Sequence, residues 1–160
     1  MHHRKNKFLL TNLVASLIGI GLVACIVSCS PPNSSNTSNA SPKFQQYYIQ
    51  GEKLYKAHCS NCHQFNGKGL GRVYPPIDSS NYMTNNVEEV ICLIKHGKDG
   101  ELLVNGKLYN QRMPGVETLT PLEIAEISTY IYNTWSNDHG LIDVKQVELV
   151  LQDCITTKKE

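Results

Sequence analysis

The chain has no long run of charge of either sign, no internal repeat and no second C-x-x-C pair, and each absence removes a class of function. Its 15 basic and 14 acidic residues are interspersed, so nucleic-acid binding has no support and no strongly steered docking face is marked. A structural zinc site needs four ligands, usually from two pairs at matching spacing, and the second pair is missing. A thioredoxin-like dithiol belongs at the end of a strand in a βαβ pattern, which does not occur around Cys59. Ser30 to Pro42 contains neither an aromatic nor a charged residue. This Ser, Asn, Pro and Thr run cannot bury a core and reads as a disordered tether with a root-mean-square reach of roughly 20 Å.

What is present is Cys59-Ser60-Asn61-Cys62-His63, a C-x-x-C-H motif. Two thiols three positions apart can each form a thioether with one vinyl group of a haem, and the next histidine is held under the iron as its proximal ligand. The motif therefore predicts one covalently bound haem c, with Cys59 and Cys62 as attachment points and His63 as a metal ligand.

The N-terminal segment agrees with the compartment in which bacterial haem attachment takes place. Arg4, Lys5 and Lys7 form a positive region, Phe8 to Val27 is almost wholly apolar, and a polar tract follows. This reads as a lipoprotein-type signal peptide over residues 1–28, with Cys29 lipidated and residues 29–42 forming the tether. Cys25 also sits in a lipobox-like setting, but its use would leave Cys29 as an odd thiol in an oxidising compartment. An uncleaved transmembrane anchor is the alternative, since about 20 apolar residues just span a bilayer. Either way the remaining domain, residues 43–160, is expected on the periplasmic side of a bacterial membrane, tied to it. Removing residues 1–28 takes the basic residues from 15 to 12 against 14 acidic, a net charge of −2.

Within that domain the pattern is mainly α-helical. A first helix is expected from Gln46 to Cys59, with Ile49, Leu54 and Tyr55 as apolar positions and Gly51 marking close approach of another backbone. Asn86, with Glu89 as its N3 partner, predicts a capped helix to His96 with Val87, Val90, Ile91 and Ile94 as its stripe and Gly97 as its stop. Asn105-Gly106 between apolar residues predicts a hairpin over Leu102 to Tyr109. Thr120-Pro121-Leu122-Glu123 is a capping box, opening a helix with Ile124, Ile127, Ile131 and Trp135 on one face. Asp143 predicts a last helix, Val144 to Gln152, with Val144, Val147 and Leu151 inward. Cys92 and Cys154 are read either as a disulfide or as two small buried apolar side chains.

From Lys43 to Gln152 these residues resemble the class I c-type cytochromes. Gly51-x3-Tyr55-x3-Cys59 is similar to the family's first helix, and Ile127-x-x-Tyr130 to the C-terminal helix that crosses it at the glycine. Gly67-x-Gly69-x-Gly71 followed by Tyr74-Pro75-Pro76-Ile77 resembles the loop after the haem motif, and Met113-Pro114-Gly115 the distal loop. Asn105-Gly106-x-x-Tyr109, Tyr130-Ile131-x-Asn133-x-Trp135 and the trailing helix look like single-haem domains serving dehydrogenases and terminal oxidases. Phe65 departs from the pattern, in a region that is often small or polar.

The resemblance implies helices wrapped round one haem, with a small hairpin before the methionine loop. It implies that the Pro75 carbonyl accepts a hydrogen bond from His63, with Pro76 as runner-up, and that the Met113 sulfur is the second axial ligand, with Met83 as rival. His58 and His96 are further candidate ligands, but His58 reads as a solvated or propionate-facing side chain and His96 as a helix C-terminal residue favoured by the dipole, and Tyr74, Tyr109 and Trp135 read as pocket walls. His/Met ligation closes both faces of the iron and raises its reduction potential, which suits a one-electron carrier rather than an enzyme. The expected partners are redox proteins: a dehydrogenase or quinol-oxidising complex on one side and a terminal oxidase on the other. No small-molecule substrate is implied. A five-coordinate haem peroxidase or sensor, and a haem subunit of a larger complex, are the competing functions.

Overall fold

The fold, taken from a computed structural model, is described for residues 41–156; the expected signal peptide, Cys29 and the tether up to residue 40 lie outside the described residues. Helix α1 (Pro42–His58) begins four residues before the expected Gln46, because Ser41 Oγ accepts the Phe44 amide at 3.2 Å and Pro42 occupies the first turn, where its missing N–H costs nothing. Its buried residues are Tyr47, Gly51 and Tyr55, a four-residue spacing that keeps one face inward. Ile49 falls off that face and is 52% exposed, against expectation, while Leu54 is half-buried.

Short helix α2 (Ser60–His63) follows directly, so Cys59 stands at the joint between two helices. Helix α3 (Asn81–Asn85) is capped by Ser80 Oγ, and α4 (Val87–His96) buries Val90, Ile91 and Ile94 with Val87 half-buried. The expected Asn86–Glu89 capping box does not form. The Asn86 side chain instead donates to the Tyr82 carbonyl at 2.8 Å, closing α3 rather than opening α4. Four short strands then form two antiparallel pairs. Strands β2 (Leu102–Val104) and β3 (Lys107–Tyr109) make the hairpin, and β1 (Gly97–Lys98) pairs with β4 (Met113–Pro114), with Lys98 opposite Met113.

Helix α5 (Pro121–Ile131) carries the reciprocal Thr120–Glu123 capping box. It ends earlier than the apolar pattern suggests. The Asn133 amide nitrogen donates to the Thr129 and Gly140 carbonyls, and Trp135 takes a left-handed φ of 58° in the turn beyond the helix. Trp135 is therefore not on the Ile124, Ile127, Ile131 face. Helix α6 (Val144–Thr156) runs past the expected Gln152; Asp143 accepts the Lys145 amide at 3.0 Å and pairs with Lys43 at the start of α1. Val147 is fully buried, with Val144 and Leu151 packed against the core.

The dominant packing is α1 across α5, and α6 lies against both α4 and α5. Cys92 and Cys154 are joined in a disulfide, with Cα atoms 5.8 Å apart and 62 positions apart in sequence. Closing a loop of that length removes unfolded-chain entropy equivalent to about 4 kcal/mol. No helix among the described residues is long and apolar enough to cross a membrane.

The α1–α5 crossing yields a stability prediction. A Cβ on Gly51 would lie 1.9 Å from the Glu126 carbonyl oxygen and 2.8 Å from Tyr130 Cβ. Alanine is favoured over glycine in a helix by about 1 kcal/mol, but here the obstacle is backbone and cannot swing aside. Gly51→Ala is expected to destabilise by about 3 kcal/mol, lowering the melting temperature by roughly 10 °C or more in a thermal scan.

Candidate haem site

Chain geometry after the motif is set by a small hydrogen-bond network. Tyr55, fully buried on α1, donates its hydroxyl to the Gln64 carbonyl at 2.7 Å, and the Gly69 amide reaches back to the His63 carbonyl at 3.0 Å. The Ile77 and Asp78 amides both bond the Gly67 carbonyl, at 2.7 and 2.9 Å. Gly69 has a φ of +65°, and a Cβ there would sit 2.5 Å from the Pro75 carbonyl oxygen, so the backbone needs glycine at this point. Trp135 donates its indole N–H to the Phe65 carbonyl at 3.3 Å and stands edge-on to Tyr55 and Tyr130, with ring centroids 5.5 and 5.9 Å away. The Phe65 side chain itself points outward, 69% exposed.

This network brings the Pro75 carbonyl oxygen to 3.0 Å from His63 Nδ1. An Nδ1–H donated to that carbonyl fixes the tautomer and leaves Nε2 as the nitrogen with a free lone pair. Burial pushes the His63 pKa below its usual value, only partly opposed by the Pro75 hydrogen bond, so the ring is held neutral, the form that can ligate a metal. The Cys59 thiol is pushed up to about 12, first by burial and then by neighbouring Cys62.

Two adjoining cavities meet at these residues. The first is lined by Cys59 and by apolar side chains including Ile77, Val90, Ile94, Val104 and Ile131, with no charged residue. The second is lined by Cys62, Tyr74 and Tyr109, with Lys98 and Arg112. His63, Pro75, Leu93, Leu102 and Met113 line both. A thiol on each cavity, with an imidazole and a thioether common to both, fits a flat apolar macrocycle attached at two points. Met83 is also buried in the first cavity but does not line the second. Its amide is bonded to Ser80 Oγ and its carbonyl accepts the Tyr132 hydroxyl at 2.8 Å.

The remaining candidates fall elsewhere. His58 is exposed, and His96 lines a groove between α4 and α6; neither borders the two cavities. Among the described residues no group of three or more His, Cys, Asp or Glu side chains is placed to hold a metal ion, so a zinc site built on Cys59 and Cys62 finds no partners there. Three participants escaped the sequence reading. Tyr55 as anchor of the Gln64 carbonyl leaves no pattern beyond an apolar helix position, and Leu93 as a wall of both cavities looks like any core leucine. The β1–β4 pairing that supports Met113 involves two residues a side, too few to give an alternating pattern.

A double cavity, apolar in its first half, with a thiol on each side and a tautomer-locked histidine defines a domain that staples a porphyrin. Comparison with known proteins gives the family. A cytochrome c profile matches residues 48–135, and cytochrome c-552 of Thermus thermophilus is 30% identical over 93 residues, covering 54% of this chain and 69% of that protein. The chain belongs to the cytochrome c family, with the fold of the class I c-type cytochromes and one covalently bound haem c. Also similar are the cytochrome c subunit of a quinone alcohol dehydrogenase from Gluconacetobacter polyoxogenes, 27% identical over 116 residues, and the fructose dehydrogenase cytochrome subunit of Gluconobacter japonicus, 28% over 127 residues. These matches cover 67% and 74% of this chain but only 24% and 26% of those subunits, so the chain spans about a quarter of their length. Electron transfer is the activity these relationships support.

Tyr55→Phe tests the loop network. It removes the donor to the Gln64 carbonyl while keeping the ring, and should cost about 1–2 kcal/mol in denaturant unfolding. A change within error would mean that the carbonyl is satisfied without Tyr55.

Proposed function

We propose that this protein is a monohaem electron carrier held on the periplasmic side of a bacterial membrane by a lipid on Cys29. It takes single electrons from a dehydrogenase or quinol-oxidising complex and delivers them to a terminal oxidase or comparable acceptor. In this reading Cys59 and Cys62 would carry the thioether links, and His63 Nε2 and Met113 Sδ would ligate the iron. Pro75 orients His63 through its carbonyl.

One observation carries the reading: His63 and Met113 line the same two cavities, while the other nitrogen of His63 is tied to the Pro75 carbonyl. The bound haem supplies a one-electron Fe(II)/Fe(III) couple. The chain supplies the rest. A thioether is a soft, weak donor that favours the reduced iron, so Met113 raises the potential. Ligands fixed from two sides keep the geometry alike in both oxidation states, which keeps reorganisation small. The apolar first cavity lowers the local dielectric and, with no charged wall, favours the less charged reduced state. Ligation by both His63 and Met113 would leave no place on the iron for peroxide or a gas, which argues against a peroxidase or gas sensor.

Two relatives are cytochrome subunits of dehydrogenases, which supports redox-protein partners and keeps a second reading in view: a haem subunit working within a dehydrogenase complex. Co-purification with a dehydrogenase would favour that reading over a free carrier.

Met113→Ala should abolish the sulfur-to-iron charge-transfer absorption of the oxidised protein and admit carbon monoxide to the reduced iron. Its potential should fall by more than about 100 mV, within the ~0.8 V range that axial ligands govern. An unchanged spectrum would eliminate Met113 as ligand and turn attention to Met83. For the anchor, Cys29→Ser should move the protein from the membrane to the soluble periplasmic fraction, whereas Cys25→Ser should leave it membrane-bound; the reverse pattern would make Cys25 the lipidated residue.

A further inference from the structure

Nothing in the electron-carrier reading uses the Cys92–Cys154 bond. Both cysteines border the groove between α4 and α6, which shares Leu93 with the haem cavities, and Cys154 is buried. Its position along the chain gives it a second consequence. Leu93, next to Cys92, lines both haem cavities, and the last turn of α4 runs straight into β1.

Strand β1 pairs with β4, setting Lys98 opposite Met113 and Gly97 opposite Pro114. The segment after Met113 is sewn to the same helix end. The Val116 amide donates to the Ile94 carbonyl at 3.0 Å, and Lys95 Nζ donates to the Glu117 and Leu119 carbonyls at 2.6 and 2.7 Å. Arg112 and Asp99 add an exposed ion pair at 3.2 Å, a weak contribution in water. Most of what fixes the backbone on either side of Met113 is therefore the C-terminal half of α4 and the strand it leads into. That helix rests more extensively on α6 than on α5, and α6 is the last helix of the chain. The disulfide is the covalent link between the two, one residue from the cavity wall.

We propose that Cys92 and Cys154 are positioning residues for the distal methionine: their bond clamps α4 onto α6, and so holds β1 and β4 where Met113 Sδ stays on the iron. The proposal rests on Met113 being the sixth ligand. It differs from a general stabilising role, because severing the clamp should free Met113 before the helices unfold. The α1–α5 crossing, which holds Cys59 and Tyr55, does not depend on it. Proximal attachment would survive while distal ligation weakens.

The test uses the mature holoprotein in its oxidised form, in a guanidinium titration that follows two signals: the methionine-to-iron charge-transfer band and the far-ultraviolet helix signal. The comparison is between the parent, Cys92→Ser/Cys154→Ser, and Tyr47→Leu, which loosens the core on α1, whose main packing partner is α5. The parent and Tyr47→Leu should lose both signals together. The double serine variant should lose the band at a lower denaturant concentration than its helices, with the ratio of methionine-free to methionine-bound protein raised at least tenfold before unfolding begins. Coincident loss of both signals in the double variant would overturn the proposal and leave the bond as a stability clamp alone. If Met113→Ala keeps the band, the ligand assignment itself fails, which is a separate result. Should the double variant not mature, dithiothreitol reduction of the purified holoprotein, then iodoacetamide, then reoxidation of the iron with ferricyanide gives the same comparison, since thioether links resist the reductant.

Discussion

The contact between His63 Nδ1 and the Pro75 carbonyl is the point on which the rest of the site depends, because the two residues are 12 positions apart and nothing local brings them together. The chain must leave the motif, turn through residues 64–74 and return with one carbonyl aimed at one ring nitrogen. Each support for that return comes from a different part of the fold: Tyr55 on α1, Trp135 beyond α5, and the amides of Ile77 and Asp78 on the Gly67 carbonyl. A shift of 1 Å in any of these would lengthen the bond past useful geometry. The aromatic cluster of Tyr48, Tyr55, Tyr130 and Trp135 is thus more than core filling. It joins the helix crossing at Gly51 to the loop that orients the ring.

The His63 and Met113 walls of the cavities are built by different means. His63 is fixed by its neighbours in sequence and by a loop packed on the two crossing helices. Met113 lies in a two-residue strand, and its support comes from backbone pairing and a lysine that reaches two carbonyls.

Much of this was legible in the residues, for reasons that can be stated one at a time. The C-x-x-C-H motif is chemistry written at fixed spacing, and the Thr120–Glu123 box and Asn105-Gly106 turn are local rules that tertiary structure did not override. Gly51 was readable as a close approach because a glycine inside a helical pattern needs a reason. The failures are also specific. Asn86 matches a capping residue in sequence, yet its side chain was already taken by the Tyr82 carbonyl, a competition that spacing does not reveal. Trp135 continues an apolar period, yet the Asn133 side chain ends the helix before reaching it. Ile49 is apolar on a face where partners are lacking. Each miss is a case in which one long-range or side-chain bond outweighed a periodic signal.

Helix α1 also sets the distance between residue 41 and the thiols. Its 17 residues rise about 25 Å, with residue 41 at one end and the joint at Cys59 at the other. Whatever precedes residue 41 is thus joined a full helix length from the thiols, where Lys43 and Asp143 meet. The helix acts as a stand-off. Changes ahead of residue 41 therefore fall a full helix length away from what lies beside the porphyrin, and the surroundings of the thiols are insulated from them.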